Sequence, residues 1–189
     1  MTLEILKKSL LDAPVIKKEN YFYIVHPITD GIPEIKPDLL NEITNELQTR
    51  IEKSGKIDKI VTIEAMGIPL ATALAMRINI PFVIIRKRSY GLPKENIVEQ
   101  ITGYSKTNLY INGLEKGDNI IIIDDVLSTG GTLKAVLSSL KNIGVVNRGI
   151  FIVVDKGNSS EKIKNEYDVD INVIVNIEIV DGKVVIKKI

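Results

Sequence analysis

Cysteine and tryptophan are absent from the 189 residues, and histidine occurs once, as His26. Without cysteine there are no disulfides and no thiol chemistry, and the redox compartment cannot be read from the chain. A surplus of either charge is also missing. Lysine and arginine total 25 against 24 aspartates and glutamates, a net charge of +1, which gives no electrostatic case for a nucleic-acid partner. No apolar run approaches the length of a membrane span. The first eleven residues are amphipathic and carry Lys7 and Lys8, so they read as a short helix rather than a signal peptide, and a cytoplasmic location is the expectation. Repeats and low-complexity segments are lacking as well. What remains is 44% hydrophobic and 26% charged, the balance of a soluble globular protein. The length is that of a single domain, 1–189, with a sizeable core.

The chain is organised around residues 119–133, NIIIIDDVLSTGGTL. The isoleucines at 120–123 form an apolar run too short for a helix; β-branched and followed by turn residues, they predict a strand buried on both faces of a parallel sheet. Asp124 and Asp125 fall where that strand is expected to end, followed by a small-residue loop, Ser128, Thr129, Gly130, Gly131 and Thr132. Leu133, Val136, Leu137, Leu140 and Ile143 then recur at helical spacing, with Gly144 as a C-terminal cap. Strand, acidic pair, glycine-rich loop and helix make a site at the carboxyl edge of an α/β sheet. The helix N-terminus offers unpaired N–H groups and partial positive charge to a phosphate, and the acids suit hydroxyls or a metal. A sugar phosphate matches both. Taken singly, Gly-Gly before a helix is an ordinary turn and two acids at a strand end are commonly solvated. Neither GxxxxGK[ST] nor GxGxxG is present, which removes the P-loop and dinucleotide fingerprints.

Elsewhere the pattern predicts helices over 3–11, 37–51 and 69–77, and strands over 21–25, 57–63, 81–85, 149–154, 171–179 and 183–189. Residues 28–37 are expected as loop. The alternation of strands and helices argues for a mostly parallel twisted sheet with helices on both faces. In such a sheet, four polar strand ends share one edge: Glu64-Ala65-Met66-Gly67, Arg86-Lys87-Arg88, Asp124-Asp125 and Asp155-Lys156. A diphosphate needs N–H groups and cations, and a ribose diol needs carboxylates. The basic triplet is otherwise a solvated turn, and Met66 is otherwise core packing. Residues 89–108 have mixed charge and little apolar periodicity. They read as a functional lid, or as a plain surface loop or hairpin arm.

The 13-residue word IIIIDDVLSTGGT at 120–132 resembles the 5-phosphoribosyl 1-pyrophosphate (PRPP) motif of the type I phosphoribosyltransferases. TIEAMGI at 62–68, VVDKGN at 153–158, HPITDGIP at 26–33 and RKRSYGLP at 86–93 extend the resemblance over nearly the whole chain. They are most similar to the archaeal hypoxanthine/guanine enzymes among the purine members. The resemblance implies purine salvage, with PRPP and a purine base as substrates, Mg2+ as cofactor and a homodimer. It implies a hood over the base from residues 1–36, with contributions from 157–189, and a flexible loop at 89–108. Asp124 and Asp125 would hold the ribose hydroxyls, and Mg2+ would be held mainly by PRPP and water near them. Residues 128–132 would cradle the 5-phosphate. Glu64 to Gly67 would bind pyrophosphate through their backbone. Met66 stands where adenine enzymes usually place an arginine, which moves weight onto Arg86 and Lys87. Glu99 and Tyr104 are candidates in the flexible loop.

By the same resemblance, Lys156 would donate to the 6-oxygen of the base, unless it points to solvent or pairs with Asp155. An ammonium has donors only, which favours a 6-oxopurine over adenine. Xanthine enzymes similar to this chain carry asparagine before the hood histidine; Val25 here offers no hydrogen bond, which places hypoxanthine and guanine ahead of xanthine. His26 lies in the hood, either as a structural residue or as a ligand contact. The alternatives are a xanthine or adenine enzyme, or a PRPP- or nucleotide-sensing regulatory protein on the same fold. The regulatory reading lacks an added winged helix and a basic surplus.

Overall fold

Isoleucine and valine dominate the strands because nearly every strand of the sheet is covered on both faces. A computed structural model describes residues 2–18, 21–102 and 105–188. In chain order its elements are α1 (Glu4–Leu11), β1 (Val15–Lys18), β2 (Tyr21–Ile24), α2 (Pro27–Asp30), α3 (Pro37–Ile51), β3 (Lys59–Ile63), α4 (Gly67–Ile78), β4 (Phe82–Ile85), β5 (Asn96–Thr102), β6 (Ser105–Ile111), β7 (Asn119–Leu127), α5 (Gly131–Ile143), β8 (Val146–Lys156), α6 (Ser159–Tyr167), β9 (Ile171–Val180) and β10 (Lys183–Lys188). The main sheet has the order β10-β9-β8-β7-β3-β4. All its pairings are parallel except that of β10 with β9.

Side-chain alternation divides the core. Ile121 and Ile123 of β7 and Phe151 and Val153 of β8 point to one face, covered by α1, α3 and α4. Ile120, Ile122, Ile150 and Ile152 point to the other, covered by α5, α6 and the β5–β6 hairpin. The run at 120–123 is 0% exposed throughout, and each such side chain contributes roughly 1.5–3 kcal/mol relative to exposure. The N-terminal elements join the first face: Leu6, Leu10, Ile24 and Ile28 are buried with α3 and α4.

Several expectations are corrected. Segment 89–108 is not irregular throughout: residues 96–102 and 105–111 pair as an antiparallel hairpin in register. Its base is tied to the sheet by an Arg86–Tyr110 bridge and by buried Val98, Leu109 and Ile111. Apolar residues on both faces of β5, with Val98 buried and Ile97 59% exposed, hide the period of two. Within 28–37 lies the short helix α2, and β1 and α6 are elements that the apolar pattern does not reveal. β7 does not stop at Ile123; it continues to Leu127.

Candidate functional site

The helices that follow β3 and β7 leave the sheet on opposite sides. α4 packs on the first face and α5 on the second. The crevice between those strands is therefore a topological switch point, where open α/β sheets bind ligands. Pairing of β3 with β7 ends at Thr62 and Ile123, while β7 remains paired to β8 through Leu127 and Asp155. Beyond Ile123, β7 has a neighbour on one side only, and Asp124 and Asp125 open into the notch. That is why two acids, poor strand formers, are held within a strand.

The notch is a cavity of about 420 Å³. It is bounded by Glu64, Lys87, the two aspartates and residues 126–133. Asp125 is buried, 7% exposed. Burial pushes both carboxyls above the usual range, and the charge of Asp124 pushes Asp125 further. The pair thus holds protons more tightly than free carboxyls do until a ligand supplies donors or positive charge. Asp30 of α2 adds a smaller push on Asp125. Gly130 sits at φ +79°, and α5 begins with no side-chain cap. A Cβ at Gly130 would lie 2.4 Å from Ile163 Cδ1, so the loop rests directly on α6. At Gly131 a Cβ would meet nothing within 4 Å, and the helix start is open.

At the end of β3 the Glu64–Ala65 peptide is cis. Glu64 Oε2 accepts from the Lys87 amide at 3.0 Å. Arg86 Nε lies 3.0 Å from the same oxygen, an ion pair by distance that lacks the angle of a hydrogen bond. Arg86 is therefore partly neutralised by a residue grouped with it from the sequence, and only Lys87 of the two borders the cavity. Among the described residues the Lys87 ammonium has no ion-pair partner. Ala65 is exposed. Met66 packs against the turn that ends α2, with its Cε 3.4 Å from the position of a Cβ on Gly31. Gly67 opens α4 against Thr62 and Asp124: a Cβ there would lie 2.1 Å from Thr62 Oγ1 and 2.9 Å from Asp124 Oδ1.

Lys156, at the end of β8, donates to the Phe22 carbonyl at 3.0 Å and lies 5.7 Å from the Tyr23 ring. It neither points freely to solvent nor pairs with Asp155, whose oxygens hold Ser159, Ser160 and Asn176. Val25 is not brought to the notch. Its amide donates to Pro14 O, and it lines an apolar groove of about 600 Å³ beside α1. That groove is the larger cavity, yet it lacks the acidic pair and the helix start, so chemistry rather than volume picks out the site. His26 is structural: 0% exposed, its Nδ1 accepts from Ile28 N and its Nε2 bonds Ser9 Oγ at 2.9 Å. Burial lowers its pKa to about 4, with Asp30 opposing. Glu99 is exposed on the hairpin, and Tyr104 lies outside the described residues.

Two residues outside the lining of the notch escape sequence reasoning. Glu95 accepts from Ser89, from the amides of Tyr90 and Gly91, and from Asn112, which folds 89–95 into a compact turn. These hydrogen bonds, Ser89 first, hold its pKa down at about 2. Ser159 donates to the Ser128 carbonyl. Ser159 has no local motif, because Ser128 is brought near it only by the fold, and Glu95 joins its own turn to Asn112 beyond the hairpin.

No group of three or more His, Cys, Asp or Glu that could hold a metal occurs among the described residues. Two carboxylates beside an open helix start fit magnesium only as a companion of a phosphorylated substrate, with water completing the shell.

Comparison with known proteins agrees with this geometry. Residues 34–184 match the phosphoribosyl transferase domain family. A hypoxanthine/guanine phosphoribosyltransferase of Methanobacterium lacus is 50% identical over 186 residues, covering 97% of this chain and 96% of that protein. One from Methanocaldococcus infernus is 50% identical over 182 residues, covering 96% and 99%. Among solved structures, the adenine phosphoribosyltransferase of Saccharomyces cerevisiae superposes with a TM-score of 0.76 at 21% identity, covering 91% of this chain and 97% of that one. At that identity the likeness concerns the fold alone. An αβ fold with its switch point at β3 and β7, an acidic pair and open helix start in the crevice, and close relatives over almost its full length together place this chain in the phosphoribosyl transferase family.

Proposed function

We propose that the protein transfers a 5-phosphoribosyl group from PRPP to hypoxanthine or guanine, giving the nucleoside 5-monophosphate and pyrophosphate. The observation that carries this is the notch itself, an acidic pair next to an uncapped helix start on one crevice, in a chain half identical to enzymes of that name. A purine ring nitrogen forms the new bond to the ribose anomeric carbon as the bond to the pyrophosphate oxygen breaks; that oxygen keeps the electron pair, and the ring N–H proton passes to water or to the departing pyrophosphate. Asp124 and Asp125 accept from the ribose hydroxyls, and the amides of 128–132 hold the 5-phosphate. Negative charge grows on the leaving pyrophosphate, facing Lys87 and the backbone of Glu64 to Gly67, with Arg86 available if Glu64 yields it. Preorganised donors at that position lower the barrier most. Magnesium, when bound with PRPP, supplies further positive charge to the diphosphate.

Lys156 is assigned to the 6-oxygen of the base, since its Phe22 contact can be exchanged for a carbonyl on the substrate. The β5–β6 hairpin is assigned to closure over PRPP, its base fixed at Tyr110 and its outer part moving; hydrogen exchange with and without PRPP and purine reads this. The assembly inferred is a homodimer, measured by sedimentation. The location inferred is the cytoplasm, because a substrate carrying phosphate and diphosphate charges does not cross a bilayer unaided.

The decisive assay is pyrophosphate release with PRPP, magnesium and each of hypoxanthine, guanine, xanthine and adenine, on the wild type and Lys156→Gln. Hypoxanthine and guanine should lead, and the variant should narrow their margin over adenine. A site with a donor fixed for a carbonyl discriminates by up to about four decades. Adenine as the best substrate overturns the lysine assignment, and absence of turnover with every base overturns the enzyme reading.

A further inference from the structure

Asp155 is 0% exposed, yet it touches no cavity of the acidic pair. Its Oδ1 accepts from Ser159 N at 3.1 Å. Its Oδ2 accepts from Ser160 N at 3.1 Å, from Ser160 Oγ and from Asn176 Nδ2 at 3.2 Å. A buried carboxylate so satisfied is a rigid anchor, and what it anchors is the start of α6. From there Ser159 Oγ donates to the carbonyl of Ser128, the first residue of the small-residue loop. Two further contacts brace the same pair of elements: Ile163 beneath Gly130 and the Lys134–Glu166 ion pair.

We propose that Ser159, held by Asp155, is a positioning residue for the loop 128–132. The peptide joining Ser128 to Thr129 is planar and trans, so its C=O and N–H point in opposite directions. A hydroxyl that holds the Ser128 carbonyl toward α6 turns the Thr129 N–H away from α6. Thr129 borders the notch, so that donor is aimed at the anion before the anion arrives. Preorganised donors bind without a reorganisation cost. This rests on the reading of 128–132 as the 5-phosphate cradle.

The test uses the full-length protein as wild type, Ser159→Ala and Ser159→Thr. PRPP with magnesium is titrated calorimetrically, KM and kcat are measured for PRPP and for hypoxanthine, and the Thr129 amide resonance is recorded without ligand. Ser159→Ala should weaken PRPP about five- to tenfold, the loss of one hydrogen bond. It should leave the hypoxanthine KM within about twofold and shift the Thr129 amide; Ser159→Thr should restore all three. The proposal is overturned if the Thr129 amide does not move, if threonine behaves like alanine, or if PRPP and hypoxanthine weaken together. A wild type that binds no PRPP while the Thr129 amide still responds to Ser159→Ala overturns the functional reading and leaves the positioning role standing.

Discussion

Two helices begin side by side at the carboxyl edge of the sheet, and they begin differently. α6 starts on a carboxylate from its own chain: Asp155 takes the amides of Ser159 and Ser160. α5 starts on Gly130 with no side-chain cap at all. Each helix end leaves N–H groups to be satisfied, and the partial positive charge there favours an anion. At α6 the fold supplies that anion; at α5 it leaves the place open to a ligand. A third start, at α2, uses neutral His26 as the acceptor. The lesson is that an uncapped end beside capped ones marks where a binding partner is built into the stability of the loaded protein.

Filling the open start should have the largest effect. Gly131→Asp puts a carboxylate in free space at the first turn of α5. It should raise stability by about 0.3–1 kcal/mol through the helix dipole. It should also weaken PRPP by roughly two to three decades, since like charges at one site cost several kcal/mol. Thermal unfolding and PRPP titration together check it, and a loss of stability alongside lost binding would mean misfolding instead.

Asp125→Asn comes next. Turnover should fall by about one to two decades, the loss of one charge-assisted hydrogen bond. The ligand-free protein should become more stable at neutral pH. The folded pKa of this pair is raised, so the native state binds more protons than the unfolded chain above its ordinary carboxyl pKa, and stability falls as pH rises through that window. Removing the titrating carboxyl should lift Tm by a few degrees, at about 2–4 °C per kcal/mol for this size. An unchanged or lower Tm would contradict the burial argument.

Emptying the filled start reverses the trade. Asp155→Asn keeps the shape but weakens charge-assisted bonds, and should cost about 1.5–3 kcal/mol. Denaturant unfolding reads the loss, and a cost below about 0.5 kcal/mol would show that Asp155 is no anchor.

The His26 start should show the smallest effect, visible only in acid. Its folded pKa of about 4 lies below the ordinary 6.5, so the unfolded chain binds the extra proton and stability is lost as pH falls from 6.5 toward 4. His26→Asn retains a capping acceptor and should flatten that limb of the Tm profile while leaving the neutral region nearly unchanged. A limb as steep as that of the wild type would assign the acid loss to other groups.

Much of the site was legible because its signals are local. The isoleucine run, the acidic pair, the glycines and the helical spacing after them sit in one continuous stretch from Ile120 to Ile143, and covalent order alone keeps them together. The strand ends at Glu64, Lys87 and Lys156 were placed on one edge by the parallel topology. The groove that Val25 lines was not legible, because one position just after a short strand does not say which cavity it faces. The β5–β6 hairpin was one of the readings open for 89–108, and exposed Ile97 blurs the alternation that would have singled it out. α6 failed because its residues 159–167 bury only Ser160 and Ile163, too few for a period.

The sequence by itself determined the chemistry on offer: two carboxylates, a run of small residues ahead of a helix, cations at a strand end, and the order of strands and helices that forces a parallel sheet. Tertiary structure alone decided which groups are spent on one another. It gave Glu64 to Lys87 N and Arg86, Asp155 to α6, Ser159 to the Ser128 carbonyl and His26 to Ile28 and Ser9. It left the start of α5 and the Asp124–Asp125 pair facing an open notch. Side-chain commitment depends on distances of about 3 Å between residues far apart in the chain, and hydrogen bonds weaken too steeply with geometry for composition or spacing to specify them.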